Sequence, residues 1–173
     1  ELCYRKAIKL KSNFSLAYNN LGSLLTKKGK LIEAEKFTEK AIYYNQRFEL
    51  AYINLGLIKV ELEKLSEAEE LFLTAIEINE DNNYAYGNLF RLYEKTNNIK
   101  KLKNKIEILS SNKNVFNEVL MFKARIHYRE EDYITAKKLI DQVSNDWIKN
   151  TDNAMNLLYW SFKAFIEEKV ENF

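Results

Sequence analysis

The sequence contains no proline, so the strongest helix breaker is absent along all 173 residues. It has one cysteine, Cys3, which excludes an internal disulfide and suits a reducing compartment. It has one histidine, His127. A single histidine without a placed nucleophile and orienting group excludes triad-type catalysis, and both Cys3 and His127 read as packing residues. Neither sign of charge dominates. The formal net charge of +2 gives no ground for a nucleic-acid partner or a membrane surface. No apolar run approaches the roughly 20 residues that span a bilayer, and no signal-peptide pattern is present. The expectation is a cytoplasmic protein. The sequence opens on Glu1 rather than methionine, and this reading places the natural N-terminus further upstream.

Chemistry-bearing motifs are equally scarce. There is no glycine-rich phosphate loop and no HExxH pair, so the chain is read as a non-enzyme with no cofactor and no metal. The run Glu130-Glu131-Asp132 falls at a turn between helical stretches, where solvated acids are ordinary. Aromatic residues make up 13% of the chain and could suggest base stacking. Most of them recur at apolar helical positions, which marks them as core.

What the sequence does contain is a repeated word. In residues 15–48, Tyr18 is followed by Leu21-Gly22, Gly29 marks a turn, and Ala34, Phe37 and Ala41 follow on a second helical stretch. Tyr18, Asn20, Leu21, Gly22, Ala34 and Ala41 return 34 residues later as Tyr52, Asn54, Leu55, Gly56, Ala68 and Ala75. A third, weaker copy keeps Tyr86, Asn88, Leu89 and Tyr93, with Asn97-Asn98 at the turn and an apolar stripe of Ile99, Leu102, Ile106 and Leu109. FKARIHYREEDY at 122–133 is echoed by FKAFIEEKVENF at 162–173, at an offset of 40. About six additional residues therefore belong in SNDWIKNTDN at 144–153.

This pattern resembles the tetratricopeptide repeat, a helix–turn–helix unit of 34 residues. The resemblance implies an all-α, right-handed α–α superhelix of antiparallel helix pairs, about ten helices in all. It assigns a partial repeat at 1–12, repeats at 15–48, 49–82, 83–116 and 117–156, and a partial repeat at 157–173, forming one solenoid. Both terminal helices are then expected to expose apolar faces and to promote self-association. The family often places proline after the second helix; here Asn45 and Asn79 are expected to end the helices in left-handed geometry.

The resemblance also implies a scaffold that binds a peptide or protein segment on the first (A) helices of the repeats. The alignment places Leu50, Ile53, Leu57 and Val60 there as an exposed apolar wall, beside the asparagine Asn54. The next two repeats supply Asn88, Arg91 and Lys95, then Arg125, Tyr128 and Arg129, which suits an acidic segment. The family's peptide-carboxylate clamp is not reproduced, since Asn19 and Ser23 stand where its first lysine–asparagine pair belongs. Residues 83–173, with YEKTNN and the FKA echoes, also look similar to bacterial tetratricopeptide arms that precede a sulfotransferase domain. That likeness implies the alternative of a helical arm of a larger enzyme.

Overall fold

The computed structural model describes residues 1–111, 113–150 and 153–171. Among them are eleven α-helices, one short 3-10 helix and no strand. The chain forms two compact units, residues 1–92 and 93–173.

The first unit holds α1 (Leu2–Leu10), α2 (Ser15–Lys27), α3 (Leu31–Tyr44), α4 (Glu49–Glu61), α5 (Leu65–Ile78) and most of α6 (Asn83–Lys95). α2 packs on α3, α4 on α5, and α3 on α4. The small residues set these distances. Ala34, Ala41, Ala68 and Ala75 are fully buried. A Cβ at Gly22 would collide with the hydroxyl of Thr38, and a Cβ at Gly56 would lie 2.5 Å from Cε1 of Phe72. Each glycine therefore makes room for a side chain from the second helix of its own pair. Leu21, Leu25, Ala34 and Ile58 form one apolar cluster, with Tyr4, Ile8, Phe37 and Leu62 against it.

The second unit begins with the end of α6 and continues through α7 (Ile99–Leu109), the 3-10 turn Lys113–Val115, α8 (Phe116–Arg129), α9 (Tyr133–Ile140), α10 (Asn145–Asn150) and α11 (Asn153–Glu171). α8 packs on α9, and α9 on α11. α10 is the helix beyond the expected ten. It fills the segment that the 40-residue offset marked as inserted. Ile148 is buried, and its carbonyl accepts a 2.8 Å bond from Asn156 Nδ2.

The turns repeat as strictly as the helices. Gly29, Glu63, Asn97 and Glu131 all take left-handed backbone geometry, with φ of 73°, 57°, 52° and 63°. After each, one amide reaches back five residues. Lys30 bonds the carbonyl of Leu25, Lys64 that of Lys59, Asn98 that of Tyr93, and Asp132 that of His127, at 2.8–3.0 Å. This is the Schellman closure of a helix end, which favours glycine or asparagine. Asn98 and Asp132 then start the following helices, their side chains accepting from the amides of Lys101 and Thr135.

The expectation for Asn45 and Asn79 requires correction. Both are extended, with φ of −147° and −146°. Their side-chain oxygens accept 3.1 Å bonds from the amides of Arg47 and Asp81. An asparagine side chain can close such a turn by itself, so the backbone has no need of a positive φ here.

Candidate interaction site

The A helices α2 and α4 lie side by side in the first unit. Position within the helix turn decides which of their side chains reach solvent. Leu16 and Leu50, one full repeat apart, are 45% and 39% exposed. Leu57 and Asn54 are half-buried. Ile53 is 0% exposed, so it packs inside and does not belong to an exposed wall. Its counterpart Asn19 is buried as well, and accepts a 2.9 Å bond from Asn54 Nδ2 across α2 and α4. This position points at the neighbouring helix rather than at solvent. The equivalents Gly87 and Met121 are likewise buried. Further along the unit, Asn88 is buried, donates to the carbonyl of Tyr84 at 2.8 Å and accepts from Arg91 Nη2 at 2.7 Å.

In the second unit the basic residues are more committed than the sequence suggests. Arg125 Nε donates to Glu94 Oε1 at 2.8 Å, with the Glu94 carboxylate largely shielded. The Arg125 guanidinium also lies 5.2 Å from the ring centre of Phe162. It is thus an internal clamp rather than an open carboxylate receptor. Tyr128 packs edge-on against both Tyr133 and Phe162, 5.3 Å from each. Lys95 and Arg129 are exposed near the ends of α6 and α8.

One charged network escaped sequence reasoning. Lys59, its side chain only 9% exposed, bridges Glu35 on α3 at 2.6 Å and Glu67 on α5. Burial draws the lysine pKa down, but the hydrogen bonds it donates to Glu35 and Glu67 outweigh it and push the value up to about 12. The hydrogen bond from Lys59 in turn holds the Glu35 carboxyl below its ordinary range. Lys59 occupies the place of the buried Leu25 one repeat earlier. A lysine at a core position of the repeat was the available signal.

Among the described residues, no group of three or more His, Cys, Asp or Glu side chains could hold a metal ion. No described helix is long and apolar enough to cross a membrane.

Two family models match the chain, both described as tetratricopeptide repeat, over residues 3–36 and 50–82. No curated protein sequence matches it. Solved structures show the same fold. The Pseudomonas aeruginosa PilF structure aligns over 93% of this chain and 71% of its own, with 21% identity and a TM-score of 0.64. The MamA structure aligns over 98% and 88%, with 19% identity and a TM-score of 0.64. A chain of the APC/C hetero-tetramer Cut9–Hcn1 gives a TM-score of 0.78 at 15% identity; 98% of this chain covers 33% of that one. At these identities the likeness speaks for the fold alone. The 34-residue word, the paired helices with small residues between them, and the two matched segments agree: the chain carries tetratricopeptide repeats, matched over residues 3–36 and 50–82.

Proposed function

We propose that this interaction scaffold is non-catalytic and binds a protein segment on the outward face of its A helices, with Leu16, Leu50 and Leu57 as the apolar contact in the first unit. The observation that carries the reading is the exposure of Leu16 and Leu50 at equivalent positions of two adjacent helices. A solvated helix face gains nothing from an aliphatic side chain at the same place in successive repeats. Asn54, beside Leu50 and Leu57 on α4, offers a polar group to a bound backbone. Arg91, the counterpart of Leu57 on α6 and still within the first unit, adds a basic contact that favours an acidic segment, while Arg125 supports the second unit through Glu94 and Phe162.

The test is affinity selection of peptides on the intact chain, followed by titration of the selected binders. Leu50→Asp is expected to weaken binding by about 2 kcal/mol or more, because it sets a charge in an apolar contact. Arg91→Ala is expected to weaken acidic binders by a smaller amount and to reduce their salt dependence. Selected binders whose affinity is unchanged by both substitutions would show that the face lies elsewhere.

A further inference from the structure

We propose that the cleft formed by α7, α8 and α9 is a binding site for a small organic carboxylate. Lys123 would hold the anionic head, and Ile106, Ile126 and Leu139 would line the body. The cleft encloses about 430 Å³ and lies wholly within the second unit. That volume falls within the range of small-molecule sites. It shares no residue with the proposed protein-binding face and stands independently of it.

Comparison of the repeats explains the opening. At the 34-residue period, Lys123 is the counterpart of Leu21, Leu55 and Leu89, all three buried. His127 is the counterpart of Leu25, Lys59 and Tyr93, again all buried. In the three earlier repeats both positions are thus buried. The fourth places there a half-buried lysine and a half-buried histidine.

At the corresponding places the fourth repeat meets no acid, unlike the second, where the cation Lys59 stands at the place of His127, one turn beyond the counterpart of Lys123. Lys59 is satisfied by the carboxylates of Glu35 and Glu67. Two repeats on, those positions carry Lys103 and Thr135, both lining the cleft. Neither can accept a lysine as a carboxylate does. Acids close by are engaged elsewhere: Glu130 holds Lys103 at 2.5 Å, and Asp132 holds His127 at 3.1 Å and the Thr135 amide. Glu107 lines the exposed rim. Among the described residues, Lys123 itself has no hydrogen bond or ion pair. A half-buried lysine lining a cleft together with three aliphatic side chains is matched by a ligand with one carboxylate and a short apolar body. No arginine lines the cleft, so a phosphate finds no bidentate partner there.

Methyl-resolved NMR of the intact chain tests this with three probes: hexanoate, hexanol and inorganic phosphate. Hexanoate is expected to shift the methyl signals of Ile106, Ile126 and Leu139 saturably, with Kd of about 1 mM. Hexanol should bind about tenfold more weakly, and phosphate should leave the three residues unmoved. Lys123→Met should reduce hexanoate affinity about tenfold or more. Lys123→Leu restores the residue of the other repeats; it should abolish binding and raise the melting temperature, which guards against a trivial loss of folding. The proposal is overturned if hexanoate leaves these methyls unshifted, if Lys123→Met binds it equally well, or if hexanol or phosphate binds as tightly as hexanoate.

Discussion

Replacing Gly56 by alanine should reverse the usual effect of that substitution. In a helix interior, alanine is favoured over glycine by about 1 kcal/mol. Gly56 lies inside α4, so propensity alone predicts a stabilised protein. Packing predicts the opposite. The added Cβ would lie 2.5, 2.9 and 3.0 Å from Cε1, Cδ1 and Cζ of Phe72. That ring is 1% exposed and cannot swing into solvent. Overpacking of this kind costs about 1–3 kcal/mol. The net expectation is a loss of about 1 kcal/mol, or roughly 2–4 °C in Tm for a chain of this size. The decisive assay is a double-mutant cycle by denaturant unfolding, with Phe72→Val as the second change. Valine lacks all three contacted ring atoms. In that background Gly56→Ala should become stabilising by up to about 1 kcal/mol, giving a coupling of about 1–3 kcal/mol. Gly56→Ala stabilising the otherwise unchanged chain, or additive effects in the cycle, would refute the register of α4 against α5.

Lys59→Met keeps most of the apolar stem but leaves the partly buried Glu35 with only its longer 3.5 Å contact to Lys64, and should cost about 2 kcal/mol. Because the folded pKa of Glu35 is depressed, its stabilising share is present above the ordinary carboxyl range and is lost as pH falls through the folded value. Because that of Lys59 is raised to about 12, its share is complete below 10.5 and is lost as pH rises towards 12. The difference between the two proteins in urea unfolding should therefore be widest between about pH 5 and pH 10, and a pH-independent difference would exclude the ion pairs as its source. Glu63→Gly should stabilise by about 1 kcal/mol in thermal melts, since only glycine adopts a φ of 57° without strain, and a loss would mean that the glutamate side chain outweighs its backbone. Trp160 is 53% exposed on α11 where its counterparts Tyr18 and Tyr86 are buried. If this face drives self-association, Trp160→Glu should lower the weight-average mass at high concentration in sedimentation equilibrium, and an unchanged mass would rule the face out.

The sequence by itself determined the helices, their pairing and their turns, because a 34-residue period returns every residue to the same environment. Tyr18 and Tyr86, or Ala34 and Ala68, report one packing geometry repeated, and each reinforces the other. The inserted α10 was legible as a break in that period. Tertiary structure decided what period alone leaves open. Leu50 and Ile53 are equally apolar and both lie on the first turns of α4; only the packing of the neighbouring helices makes one exposed and the other buried. Asn45 and Asn79 were expected to turn the backbone left-handed, but a local side-chain bond closes the turn instead. The partners of Arg125 and Lys59 were hidden for a further reason. Glu94 precedes Arg125 by 31 residues, a separation that becomes a 2.8 Å contact only when two helices are packed and both side-chain rotamers are set. Periodicity fixes where a backbone lies, whereas an ion pair or an exposed face depends on what the adjacent helix places against it.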